Sequence, residues 1–196
     1  MTLLGLYRRL FCRGGFGVHS PFVFDLITNV IEERCEYYFY DDIYREYLRR
    51  KSDGRCDITQ AEGRLLFRLA NRFHPRRILI VGEADSFAAF CLSGYAPDAV
   101  ALTAIADGDE VKGKAYDCIF FSCDTDCVAY KRIVTKLRTD GFAVVAGIRK
   151  SGKRREAWTD LCGARGITAS IDLCSMGLLV ANPRLQRRRY KSVVSS

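Results

Sequence analysis

The side chains able to do chemistry are few and scattered along the chain. Of the 2 histidines, His19 stands directly before Ser20-Pro21. An imidazole changes charge near neutral pH and can serve as a general base, which makes His19 a candidate catalytic residue. Its place ahead of a Ser-Pro helix start favours a structural hydrogen bond over that role. The 9 cysteines stand singly, with no Cys-x-x-Cys pair, and the one cluster is Cys118, Cys123 and Cys127. Structural zinc sites use tighter, paired spacing, so these residues read as reduced core thiols and no metal is expected. Glu83 and Asp85 follow the apolar run Ile78-Leu79-Ile80-Val81 and its closing Gly82. They could contact a ligand at a strand's carboxyl end, or favour the start of the next helix through its dipole. Both readings stay open. Five cations, Arg149, Lys150, Lys153, Arg154 and Arg155, follow a later strand. They form a candidate anion-binding rim, set against the plainer reading of a solvated charged face.

These residues belong to a chain of 196 residues with a net charge of +8. Residues 141–196 hold 11 basic and 3 acidic side chains, so the last 56 residues carry the whole excess, while residues 1–140 are neutral. A second basic run, Arg184 with Arg187, Arg188, Arg189 and Lys191, lies in the tail. Two such patches are compatible with phosphate or nucleic acid, although no nucleic-acid-binding motif accompanies them. A hydrophobic content of 48% excludes a disordered chain. The segment Met1 to Cys12 is too short and too charged, with Arg8 and Arg9, for a signal peptide or membrane span. It reads as an amphipathic helix, and the protein as cytoplasmic.

Three helices are expected first. Ser20-Pro21 opens one with the stripe Phe22, Val23, Leu26, Ile27, Val30 and Ile31. An aromatic and acidic stretch from Tyr37 to Tyr47 forms the second, ending by Gly54, and its aromatic rings pack rather than stack on bases. Thr59-Gln60-Ala61-Glu62 is a capping box opening the third, which has Leu65, Leu66, Leu69 and Phe73 on one face and Pro75 after it. Strands are then expected at Ile78 to Val81, Ala99 to Ile105, Cys118 to Phe121 and Phe142 to Ala146. Helices separate them over 84–94, 126–138 and 153–164. The second of these places Val128, Ile133, Val134 and Leu137 inward, and the third Trp158 and Leu161. Ile167 to Leu173 and Gly177 to Val180 close the fold as a hairpin around Ser175. This order predicts an α/β protein with a doubly wound, mostly parallel sheet, an N-terminal helical cap over 1–75, a core over 76–183 and a basic tail over 184–196.

Four stretches resemble bacterial class I S-adenosylmethionine-dependent methyltransferases of the O-methyltransferase-like branch: Gly17 to Val23; Leu65 to Asn71 leading into Ile78 to Gly82; Tyr116 to Phe121; and Gly147-Ile148 through Glu156 to Trp158 and on to Leu179. The resemblance implies that fold, with S-adenosylmethionine as cofactor. Its glycine-rich turn would pass close to the cofactor's methionine part; here it reads Gly82-Glu83-Ala84-Asp85-Ser86-Phe87, with the first glycine alone kept. The family's acid before that glycine falls at Ile80, and the acid that holds the ribose falls at Asp107. Cofactor contacts are therefore assigned to Gly82, Glu83, Asp107 and Ser122. The family's metal-binding acids fall at Ser122-Cys123, with Asp124 displaced by two, and at Ala146-Gly147, which predicts chemistry without a divalent cation. Asp124 joins His19 as a candidate catalytic residue. Between the second and third strands the family carries extra structure where this chain has residues 106–115, so the sheet is expected to be shortened at one edge. Two functions follow. One is a methyltransferase acting on a small-molecule or macromolecular acceptor; the other is a non-catalytic scaffold that binds an anionic partner through the basic rim.

Overall fold

The computed structural model describes residues 14–15, 17–98, 100–106, 111, 115–125 and 127–194. The expected helix over Met1 to Cys12 and the ribose-binding candidate Asp107 lie outside them. Helix α1 (Pro21–Leu26) starts as its sequence requires: the Ser20 hydroxyl accepts from the Val23 amide and Pro21 occupies the first turn. It widens into a π turn over Ile27–Ile31, so that Val23, Leu26, Ile27, Val30 and Ile31 are all buried. Helix α2 (Tyr40–Ser52) and helix α3 (Gln60–Phe73) follow. In α3 the Thr59 hydroxyl accepts from the Glu62 amide while the Glu62 carboxylate accepts from the Thr59 amide, and His74 ends the helix in a left-handed conformation at φ 48°. Arg68, buried on α3, donates to the Val30 and Ile31 carbonyls and to the Tyr40 hydroxyl. One guanidinium thus donates to carbonyls at the end of the π turn and ties the three cap helices together.

The sheet strands are β1 (Arg77–Val81), β2 (Ala101–Ile105), β3 (Tyr116–Phe121), β4 (Leu137–Ala146), β5 (Ala169–Asp172), β6 (Met176–Val180) and β7 (Arg188–Lys191). Their spatial order is β2-β1-β3-β4-β6-β5-β7. The first four run parallel, β6 is antiparallel to β4 and β5, and β7 lies parallel to β5. Successive side chains alternate across the sheet. Ile78, Ile80, Cys118, Phe120, Phe142 and Val144 join the cap helices in one core. Leu79, Val81, Ile119, Phe121, Ala143 and Val145 face the other core, under α5 (Tyr130–Val134) and α6 (Gly152–Cys162), where Trp158 and Leu161 are buried as expected. The continuous apolar runs are those of strands covered on both faces. Among the described residues β2 is one edge of the sheet, and its first four residues are exposed.

Two elements differ from expectation. The helix expected over 126–138 is a 3-10 turn (Cys127–Ala129) and the short α5, leaving Val128 85% exposed. The sheet captures its far end: the Tyr116 amide donates to the Lys136 carbonyl, and Leu137 pairs with Tyr116 as the first residue of β4. A bulge then separates this pair from Cys118–Phe142, with Asp140 left-handed at φ 65°. The stretch expected as a basic tail supplies β7. There Arg187 donates to the Gly163 and Ala164 carbonyls, covering the carboxyl end of α6. Among the described residues no helix is long and apolar enough to cross a membrane.

Candidate functional site

A cleft of about 700 Å³ opens at the carboxyl ends of β1, β2 and β3, where doubly wound sheets place their ligands. Its floor is the turn after β1. The Gly82 amide donates to the Ile105 carbonyl, and the Ser122 amide donates to the Val81 carbonyl, so two strand ends and the turn converge. Gly82 has φ +140°, and a Cβ built there would lie 2.8 Å from the Ser122 Cβ. The glycine is therefore required by close approach of two chain segments as well as by its backbone angle. Helix α4 (Phe87–Ser93) leaves this turn, with the Ser86 hydroxyl accepting from the Ala89 amide. Phe87 does not fill the cleft. It is fully buried against Tyr47, with ring centroids 5.7 Å apart, and against Gly63 of α3.

Of the expected cofactor residues, Gly82, Glu83 and Ser122 line the cleft, and so do Ala104, Ile105 and Ala106 on the approach to Asp107. Asp85 stands directly before the Ser86 cap of α4 and is not among the cleft residues. Its carboxylate accepts from Arg50 at 2.7 Å and its carbonyl from the same guanidinium, which holds the carboxyl below its ordinary range. Asp124 lines the cleft but is exposed and paired with Lys150 at 3.0 Å, and that hydrogen bond keeps it ionised. His19 is exposed beside the start of α1 and is not among the cleft residues.

None of the five expected anion-binding cations lines the cleft. Arg149 forms a two-point pair with Asp172 and donates to the Cys174 carbonyl. Lys150 holds Asp124 and approaches the Cys123 Sγ at 3.5 Å. Arg154 is turned inward, 6% exposed, and donates to the carbonyls of Ser122, Thr125 and Ala146 and to the Tyr130 hydroxyl. It is the strut beneath the loop after β3. Lys153 and Arg155 are exposed, and Lys153 borders a separate hollow with Lys131, Glu156 and Asp160.

The positions where metal-binding acids would stand hold Ser122, Ala146 and Gly147. Gly147 is left-handed at φ 63°, and a Cβ there would lie 3.0 Å from the Cys123 Cβ. With Asp124 already paired to Lys150, this donor set does not fit a hard cation. Among the described residues no group of three metal-ligating side chains occurs.

The residue that sequence reasoning missed is Asp57. It lies between α2 and the Thr59 cap and lines the cleft together with Gly82. Both of its carboxylate oxygens are buried without a hydrogen-bond partner. Burial is the main cause that pushes its carboxyl up to about 6, opposed first by its own backbone amide and then by Arg50, with Asp124 and Glu62 adding repulsion. Its carbonyl accepts from the Cys123 thiol at 3.2 Å. An acid two residues before a capping box reads as an ordinary turn residue, and nothing in the sequence signals that its oxygens are closed off.

No protein-family model and no curated protein matches the sequence. Solved structures do match in fold. The cofactor-bound Rv0187 from MTB aligns with a TM-score of 0.57 and 16% identity over 72% of this chain and 90% of its own. The O-methyltransferase TomG from Streptomyces achromogenes, in complex with SAM, aligns at 0.53 and 13% over 79% and 93%. The SAH-bound Podospora anserina methyltransferase PaMTH1 aligns at 0.53 and 11% over 83% and 96%. The chain thus has the class I methyltransferase-like α/β fold.

Proposed function

We propose that this chain binds S-adenosylmethionine in the cleft beside Gly82 and is a methyltransferase-type protein for a small-molecule acceptor. One observation carries the reading: the cleft is open at the carboxyl ends of β1 and β2, with Phe87 packed into the core. Gly82 and Ser122 line this cleft, and the close packing of Gly82 against Ser122 fixes the turn that forms its floor. Gly82, Glu83, Ser122 and the end of β2 are the residues that would hold it. When bound, the cofactor supplies an electrophilic methyl group for a nucleophilic acceptor. The chain contributes position, exclusion of water and local charge, and the donor set argues against a divalent cation taking part. Eight free cysteines among the described residues support residence in a reducing compartment such as the cytoplasm. The anionic-partner reading draws less support, because Arg149, Lys150 and Arg154 have partners inside the fold.

Titration calorimetry with S-adenosylmethionine and S-adenosylhomocysteine tests this. Binding in the micromolar range, unchanged by a chelator, is expected. Absence of binding, together with salt-dependent binding of a polyanion, would overturn the reading in favour of the anionic partner.

A further inference from the structure

Asp57 is a buried carboxylate that the fold neither pairs nor exposes. Leaving a charge in that state is costly, and such groups recur where a protein has use for them. The geometry places it next to the cofactor floor by short steps: Gly82 touches Ser122, and the following thiol, Cys123, donates to the Asp57 carbonyl at 3.2 Å. The segment holding it, residues 53–58, is irregular backbone anchored by the buried Ile58 and by the Arg55 amide donating to the Arg50 carbonyl. Asp57 lines the cleft from that segment, between α2 and α3, with its carboxylate oxygens closed off from solvent.

The other charges at the cleft are already engaged or solvated. Asp124 is neutralised by Lys150, Glu83 and Arg55 are exposed, and Ile80 leaves β1 without an acid. Among the described residues, a ligand with a compact cation at its buried end meets in Asp57 a cleft carboxylate that is shut off from water and has no ion pair.

We propose that Asp57 is the receptor for the α-ammonium group at the amino-acid end of the cofactor, turning from its closed position into the cleft when that cation arrives. This inference rests on the cofactor reading above. It assigns to a residue of the cap connection a task for which β1 carries no side chain. The groups facing Asp57 are Arg50 from α2, Glu62 from α3, Cys91 from α4, and Cys56, Cys123 and Asp124 from the loops. Burial raises all three thiols, so they stay neutral, and Lys150 keeps Asp124 ionised. Asp57 is the carboxyl among them that burial lifts toward neutrality. Pairing with an ammonium lowers it again, so binding releases a proton near pH 6, and affinity rises with pH below that point.

The test titrates the full chain with S-adenosylhomocysteine, which has the ammonium and lacks the sulfonium, at pH 5, 6 and 7. An α-amino group stays charged over most of that range. Affinity is expected to rise about tenfold from pH 5 to pH 7, with about half a proton released at pH 6, read from two buffers of different ionisation heat. Asp57→Asn should flatten the pH profile and abolish the proton release. A homocysteine-end analogue without the amino group should bind the wild-type chain about tenfold more weakly, and should bind D57N as well as the parent ligand does. Asp57→Ser repeats the comparison in case the amide disturbs the loop.

Binding that is pH-independent, or equal loss of affinity for the analogue in wild type and D57N, overturns the role of Asp57 and leaves the cofactor reading standing. A preference for S-adenosylmethionine over S-adenosylhomocysteine that D57N removes would move Asp57 to the sulfonium and overturn the ammonium assignment. No binding of either ligand at any pH overturns both readings.

Discussion

Two regions near the carboxyl edge of the sheet hold charges with opposite degrees of engagement. On the side after β4, Arg149, Lys150 and Arg154 hold carboxylates or carbonyls of the protein itself. On the side before α3, Asp57 holds nothing, although both its oxygens are buried. In sequence the first region looks like a site and the second like a turn. In the folded chain the three cations are structural and the acid is the group with chemistry left to do. The lesson is that residue type locates charge, while the presence or absence of an internal partner decides what the charge is for.

The largest expected effect comes from breaking the engaged side. Arg154→Ala leaves the buried carbonyls of Ser122, Thr125 and Ala146 without their donor. At about 1 kcal/mol for each lost hydrogen bond in a buried setting, the loss is about 3 kcal/mol. Chemical denaturation should show it as a lower midpoint. The loop after β3 should loosen with it and weaken cleft ligands. A loss below about 1 kcal/mol would mean that Arg154 is not the strut its contacts describe.

Breaking the unpaired side should act in the opposite direction. The folded-state carboxyl of Asp57 is raised to about 6, above its ordinary 3.8. A raised acid favours folding below its unfolded pKa, and that contribution is lost as pH rises through the folded value. At pH 7 the charged, buried Asp57 thus lowers stability by up to about 3 kcal/mol, at about 1.4 kcal/mol per pKa unit. Asp57→Asn should raise the melting temperature at pH 7, and the gain should vanish near pH 4. A variant that is destabilised equally at both pH values would show that Asp57 has a partner after all.

Much of the frame is legible in the sequence. Ser20-Pro21, the Thr59–Glu62 box and the apolar runs of β1, β3 and β4 each state a local physical requirement, and the fold meets each of them. The site is legible at Gly82, where backbone conformation demands the residue type. Elsewhere the deciding contacts are remote in sequence. Arg149 meets Asp172, Lys150 meets Asp124 and Arg154 meets Ser122 across 23, 26 and 32 positions. The helix expected through Leu137 fails for the same reason: Lys136 and Leu137 are claimed by pairing with Tyr116, which no local pattern announces.

Gly82→Ala probes the floor of the cleft that Asp57 lines. The new Cβ would meet Ser122 at 2.8 Å at a backbone angle that side chains rarely adopt. Strain of this kind amounts to about 1–3 kcal/mol, and the displaced turn would narrow the cleft. A drop of about 2 kcal/mol with at least tenfold weaker cleft binding is expected. Normal binding in a stable variant would move the ligand off this floor.

The smallest effect belongs to the two cations of the basic run that remain at the surface, Lys153 and Arg155. Both are exposed, neither lines the cleft, and Lys153 borders a different hollow. Reversing both to glutamate removes no buried contact, so stability should stay within about 0.5 kcal/mol. Physiological salt screens exposed charges beyond about 8 Å, so cleft affinity should change by less than about twofold. A fall of tenfold or more at that salt concentration would place these cations in the ligand's field. The contrast between engaged cations and an unengaged Asp57 would then give way to a site in which both act together.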